Sequence, residues 1–179
     1  FPEHNLNYAH EKKEKLLKEI VYRAFKIIVP HDANKNDLIN FYKISNDQII
    51  VQNFIPMLPE IYNNNKIKKC DYNAIYKKFS LPSEKKIIFY PAQFWAHKNH
   101  KYIIDAVEIL KQKSIEDYFF VFCGADKGNL KYVKKLIYEK KLDKYFKIFP
   151  FIDDDSLISM YLNCKAVIMP TYCGPTNLP

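Results

Sequence analysis

Four short apolar runs constrain this chain more than any other feature. They lie at 87–90 before Pro91, 119–123 before Gly124, 146–149 before Pro150 and 166–169 before Pro170. The first, with β propensity and no polar alternation, suits a buried parallel strand, and the other three read as strands of the same kind of sheet. Between them the spacing of apolar residues changes. Ile103, Ala106, Val107 and Leu110 share one helical stripe, Leu130, Val133 and Ile137 a second, and Leu157, Ile158, Tyr161 and Leu162 a third. The spacing predicts helices over 99–111, 130–139 and 155–162. Asn99 is suited to cap the first, and Asp153 and Asp154 precede the third, where the helix dipole favours acidic side chains. Three β-loop-α units and a fourth strand mean an α/β fold with a parallel sheet and crossover helices. Ligands of such sheets bind outside the carboxyl ends of the strands, here the loops 91–98, 124–128, 150–154 and 170–179.

The preceding half reads as a shorter version of the same pattern. A leading loop at 1–9 runs into a helix over 10–25 with Leu17, Ile20, Val21 and Ala24 inward. A strand at 27–30, a helix over 33–42 capped by Asp32 with Leu38, Ile39 and Tyr42 inward, and a strand at 49–51 follow. Pro56, Pro59 and the polar run 63–69 then mark a linker at 54–69. The expected organisation is one domain end at 1–53, the linker, a short helix over 72–79 and a second domain from 70 to 179. Because the chain starts at Phe1 without a Met and stops just past a strand, it is expected to be a piece of a longer protein.

Composition narrows the chemistry. With three glycines in 179 residues, the chain has neither the dinucleotide fingerprint nor the Walker phosphate loop. The formal charge of +8 is divided evenly between the halves, which suits anionic substrates or membrane headgroups and does not point to nucleic acid. Cys70, Cys123, Cys164 and Cys173 form no C-x-x-C pair, so no zinc site is expected. Cys123 and Cys164 read as small core hydrophobes in a reducing compartment. No segment is long and apolar enough for a membrane span.

Lys98 is the residue with the clearest chemical assignment. It falls where the strand at 87–90 gives way to a helix N-terminus, a place that favours anions, so a phosphate-bearing ligand is expected there. His97 and His100 have the i,i+3 spacing of a metal pair but lack an acidic or cysteine partner nearby, and no metal is expected. Phe94 and Trp95 read as packing residues.

The order of these loops resembles that of GT-B fold glycosyltransferases, specifically glycosyltransferase family 4 with its C-terminal group 1 domain. The likeness rests on YRAFKIIVPHDANKNDLINFYKISNDQIIVQNFIP at 22–56, IIFYPAQFWAHKNH at 87–100, FVFCGADKGN at 120–129 and IFPFIDDDSLISMYLNCKAVIMPTYCGPTNLP at 148–179. It implies two Rossmann-like domains with parallel sheets, both incomplete here. It implies transfer of a hexosyl-type sugar from a nucleotide diphosphate donor, UDP- or GDP-linked, to a saccharide or lipid-linked acceptor. Retention at the anomeric carbon, no metal, no cofactor and no nucleic acid belong to the same expectation. So do surface glycan or glycolipid synthesis and a cytoplasmic location, with peripheral membrane association.

The resemblance also assigns roles. The family's Arg and Lys, five residues apart, contact the donor diphosphate; Lys98 matches the Lys, while Gln93 stands at the Arg, so that contact there is expected to be weaker or to use His97. Pro150, Phe151 and Ile152 match the loop that meets the nucleotide base through its backbone, with Phe149 and Phe151 read as core side chains. Gly124 ends a strand at the same edge. Of the family's Glu-x7-Glu segment, the first position falls on Gly174 and the second three residues past Pro179. Gly174, Pro175, Thr176 and Asn177 are then expected to cradle the distal phosphate and sugar. Catalytic residues of the first domain would precede Phe1, and the piece alone is expected to be inactive. A nucleotide-sugar epimerase of the same fold and a non-enzymatic basic binding module are the alternatives.

Overall fold

The computed structural model describes residues 9–53 and 72–172. Outside them lie the leading loop (all but its last residue, which opens the first helix), the linker at 54–69, Cys70, Cys173 and Gly174, Pro175, Thr176 and Asn177. The described residues divide into two compact units, 9–53 and 72–172.

In the first unit α1 (Ala9–Arg23), β1 (Ile27–Val29), α2 (Asp32–Tyr42) and β2 (Ile49–Val51) follow the expected order. The strands pair in parallel, Ile27 opposite Ile49, and Val21, Val29, Leu38, Ile44 and Ile49 make the core. Of the stripe expected on α1, Leu17 and Ile20 are exposed and Val21 is buried, because a two-stranded sheet covers only one end of a helix of 15 residues. The cap of α2 is also different from expectation. His31, in extended backbone, accepts the Ala33 N–H at its Nδ1 (3.1 Å). Asp32 sits one residue inside, where its charge meets the helix dipole.

The second unit holds α3 (Tyr72–Lys78), β3 (Lys86–Pro91), α4 (His100–Gln112), β4 (Tyr118–Cys123), α5 (Leu130–Glu139), β5 (Phe146–Phe149), α6 (Asp154–Asn163) and β6 (Ala166–Val167). All four strands are parallel, in the order β5-β4-β3-β6. The two-residue period of the strands divides the core. Tyr90, Phe120 and Phe122 pack with Ile103, Ile104 and Val107 of α4 and Val133 and Ile137 of α5. Ile87, Phe89, Phe119 and Val121 pack on the other face with Ile75 of α3 and Met160 of α6. β3 and β4, the strands buried on both sides, need no polar alternation, which is why their sequences are nearly all apolar.

Two expectations here are corrected. On α6, Leu162 is exposed while Ser156 and Met160 are buried, and Tyr161, 38% exposed, still sets its ring edge-on to the buried Phe89 (5.4 Å); Asp153 caps the helix by accepting the Ser156 N–H (2.9 Å). The strand expected over 166–169 is regular only at Ala166 and Val167, since among the described residues it pairs on one side alone, with β3.

Glycine is scarce, and other residues take its usual place after helices. Ser80, Ser114 and Lys141 stand in the left-handed region (φ 48, 57 and 54°). At each, the next residue's N–H reaches back to the carbonyl five positions earlier: Leu81 to Tyr76, Ile115 to Leu110 and Leu142 to Ile137.

Candidate functional site

A strand order of β5-β4-β3-β6 starts at β3, runs one way to β5 and then returns to β3's other side. The loops after β3 and β6 therefore diverge at a topological switch point, the place where sheets of this kind hold ligands. Lys98 lies in this crevice. After β3 the chain passes through Ala92 and Phe94, both buried, and turns at Ala96–Lys98 into α4. Phe94 is held against the loop after β4: its N–H donates to Ala125 O (2.9 Å), and its carbonyl accepts from Asn129 (3.2 Å). Phe94 thus fills the packing role expected of it, and Trp95 is half-buried beside it.

The turn is fastened residue by residue. The carbonyl of His97 accepts from the Tyr172 N–H (2.9 Å) and from Thr171 Oγ1 (3.1 Å). That of Lys98 accepts from the buried hydroxyl of Tyr90 (2.6 Å). Asn99 Nδ2 donates to Pro170 O (3.0 Å). Asn99 was expected to cap α4 with its side chain, but that side chain makes no cap bond and the backbone is left-handed (φ 56°). Asn tolerates this region better than most residues, so the position serves the turn, and its amide is used to tie down the segment after β6.

His100 opens α4 and is fully buried, stacked on Phe94 (ring centroids 4.5 Å apart, 18° between planes) and in contact with Tyr90 and Phe122. Neither ring nitrogen makes a hydrogen bond of normal geometry, although the Ala92 backbone lies near enough to act on the ring. Burial lowers its pKa to about 4; the Ala92 backbone opposes this, and the nearby Lys98 charge adds a smaller push in the same direction as burial. A neutral imidazole enclosed by aromatic rings is a packing residue. Among the described residues no three His, Cys, Asp or Glu side chains gather as a metal site.

Gln93 is exposed, and its Oε1 accepts from the Trp95 indole N–H (3.0 Å). The half-buried His97 ring stacks beside the same indole, with centroids 6.0 Å apart. Trp95 therefore organises both residues.

Gly124 links the neighbouring loops. Its N–H donates to Phe149 O at the end of β5 (3.0 Å). A Cβ on it would stand 2.7 Å from Gln93 N, 2.5 Å from Ala92 C and nearer still to Ala92 O. In the loop after β5, Phe151 is 78% exposed, against its expected core role, while Ile152 is buried. Phe149 packs edge-on against Phe79 (4.8 Å). Asp153 closes this loop. Lys78 Nζ donates to it (2.8 Å) and to Ser156 Oγ (2.6 Å), and Lys78 together with Ser156 holds the Asp153 carboxyl well below the usual carboxylate range. The acidic run 153–155 is thus a helix start. Cys123 is buried, which raises its thiol to about 11 and leaves it an inert core residue.

Tyr90, Asn99 and His100 are the site residues that sequence reasoning missed or misassigned. A signal existed for one of them: His100, Ile103, Ile104 and Val107 follow the i, i+3, i+4, i+7 pattern of a single buried stripe.

Comparison with known proteins fits this geometry. No curated protein matches the sequence. Among solved structures, a glycosyltransferase from Rickettsia africae is 23% identical, with a TM-score of 0.65 over 89% of this chain and 41% of its own. WaaG, a glycosyltransferase involved in lipopolysaccharide biosynthesis, is 13% identical, with a TM-score of 0.71 over 98% of this chain and 46% of its own. Anabaena Alr3699/HepE in complex with UDP-glucose is 14% identical, with a TM-score of 0.70 over 98% and 45%. The chain spans less than half the length of each, and at these identities they establish the fold alone, which is GT-B: Rossmann-like units with parallel sheets. The family profile described as glycosyl transferases group 1 matches residues 71–176. With more than half of its length matched, from before α3 to beyond β6, this chain belongs to the group 1 glycosyl transferases.

Proposed function

We propose that the protein transfers a sugar from a nucleoside diphosphate donor, and that residues 70–179 form part of the donor-binding domain. The observation that carries this reading is the position of Lys98. It lies at the switch point of the sheet, at the start of α4, in a turn bonded to the segment after β6. The leaving diphosphate gains negative charge in the transition state. A fixed cation beside the first-turn amides of a helix offsets that charge without reorganising. Gln93 brings no charge, so Lys98 carries the electrostatic work of the family's pair, with His97 next to it. The exposed Pro150 and Phe151, anchored by the buried Ile152, would present backbone to the nucleotide base. Gly174 to Asn177 would meet the distal phosphate and sugar.

The finer parts of the reading rest on the resemblance to family 4. They are a retaining, metal-independent transfer, a hexosyl group, and an acceptor, saccharide or lipid-linked, held by the domain to which residues 1–53 belong, across a linker at 54–69. The relative crystallised with UDP-glucose favours a UDP-linked donor over a GDP-linked one. A cytoplasmic enzyme of surface glycan synthesis, touching the membrane peripherally, is the setting proposed. Among the described residues no helix is long and apolar enough to cross a membrane.

A charge-assisted hydrogen bond is worth about 1.5–3 kcal/mol. Lys98→Ala in the intact enzyme should therefore lower donor affinity or turnover about ten- to a hundred-fold. Titration with UDP and GDP, followed by steady-state kinetics, tests this; unchanged constants would remove Lys98 from the site. Turnover should also be unaffected by a strong chelator, and loss of activity restored by a divalent cation would refute metal independence.

A further inference from the structure

We infer that Tyr90 is a positioning residue for Lys98: its buried hydroxyl sets the peptide that carries the diphosphate-binding cation. This rests on the assignment of Lys98 to the donor diphosphate. Tyr90 lies near the carboxyl end of β3 and is 1% exposed. Its ring is wedged between His100 (4.8 Å) and Phe122 (6.1 Å). The hydroxyl of so enclosed a ring has little freedom to move. It donates to the carbonyl of Lys98 at 2.6 Å, eight residues further along the chain. Burial also raises the Tyr90 pKa far above the ordinary tyrosine value, so the group remains a donor at any working pH.

The bond matters because of the backbone around it. Lys98 ends the turn Ala96–Lys98, and Asn99 then reverses into left-handed backbone before α4 begins. The peptide between Lys98 and Asn99 joins two conformations that do not continue into one another. The neighbouring tethers, from Thr171 and Tyr172 to His97 and from Asn99 to Pro170, all tie the turn to the segment after β6. Tyr90 ties it to β3, an interior strand of the sheet. Orienting the Lys98 carbonyl fixes the plane of that peptide, and with it the direction in which the Lys98 side chain leaves the backbone. A core residue of ordinary kind would need only a ring here. The hydroxyl adds a hydrogen bond to the one residue whose placement decides the electrostatics of the site.

Tyr90→Phe removes the hydroxyl and keeps the ring. The test is a cycle of wild type, Tyr90→Phe, Lys98→Ala and the double variant of the intact enzyme. Each is titrated calorimetrically with UDP and with GDP, and the tighter of the two for wild type is carried through. Thermal unfolding is followed in parallel. Loss of one hydrogen bond of ordinary strength predicts about fivefold weaker binding for Tyr90→Phe. It should bring no further loss, within about twofold, when added to Lys98→Ala, because a residue acting through Lys98 has nothing left to position. Wild-type affinity in Tyr90→Phe overturns the proposal. So does a fivefold loss that persists in the Lys98→Ala background, since that is the behaviour of a general structural residue. If Lys98→Ala itself binds as wild type does, it is the assignment of Lys98 that falls, which the same four titrations separate from failure of Tyr90.

Discussion

Gly124→Ala is expected to destabilise the second unit by about 3 kcal/mol or more, at the upper end of what added volume costs in a packed interior. The reason is the identity of the neighbours. The new methyl would meet Ala92 O, Ala92 C and Gln93 N, all backbone atoms in the stretch that leaves β3, and backbone cannot change rotamer to make room. Relief requires the end of β3 to separate from the end of β4, where Pro91 lies opposite Cys123. The same movement would strain the bond from Gly124 N–H to Phe149 O and displace the loop that carries Lys98. Donor affinity should therefore fall together with stability. Gly128 provides the contrast. Its φ of 96° disfavours side chains, but nothing stands within 4 Å of a Cβ built there, so Gly128→Ala should cost only the conformational strain, about 1–2 kcal/mol. Urea denaturation of both variants beside wild type checks the ranking. A Gly124→Ala protein as stable as Gly128→Ala would show that the β3–β4 junction is softer than its geometry implies.

Acid should weaken the fold through His100. Its folded-state pKa of about 4 lies below the unfolded value of 6.5. Between those values the unfolded chain binds a proton that the native ring refuses, so the unfolded state gains as pH falls. The stability that depends on a neutral His100 is complete above about pH 6.5, declines toward pH 4 and changes no further below it. The gap corresponds to about 3 kcal/mol at 1.36 kcal/mol per unit. The groups facing the ring are Phe94, Tyr90, Phe122, the Ala92 backbone and, electrostatically, Lys98. Asp153 acts lower. Its depressed carboxyl contributes stability above the ordinary value of 3.8 that is lost as pH falls below it, so the two contributions separate along the pH axis. His100→Phe, which can keep the stack on Phe94, should flatten the dependence between about pH 6.5 and pH 4. Unfolding free energies measured across that range decide the matter. An equal slope in wild type and variant would mean that the native imidazole takes up its proton after all.

Much of this fold was legible because its strongest signals are local. The helix at 130–139 matches its predicted bounds, and the strands at 119–123 and 87–90 gain a residue or two at their ends. Apolar runs and helical periods are properties of neighbouring residues, and the parallel sheet follows from their alternation. Lys98 was legible for the same reason, as a cation between a strand and a helix start. What could not be read depends on residues far apart in sequence. Gly124 is confined by Ala92, and Asn99 is diverted from capping by Pro170. Asn favours both an N-cap and left-handed backbone, and only the partner at position 170 decides between them. Phe151 misled in the opposite way. Apolar character is ordinarily evidence of burial, but a loop that presents its backbone to solvent can hold an exposed ring.

The turn at 96–99 resembles a beam supported at both ends, resting on β3 through Tyr90 and on the segment after β6 through Pro170, Thr171 and Tyr172. The consequence concerns entropy. A loose loop loses conformational freedom when it closes on a ligand, and that loss subtracts from affinity. Here the freedom of the cation-bearing backbone is surrendered when the sheet folds, before any diphosphate arrives. If Lys98 binds the donor as proposed, what remains to be ordered on binding is its side chain, so a donor with weak intrinsic contacts could still be held by a site proposed to lack one of the family's two cations.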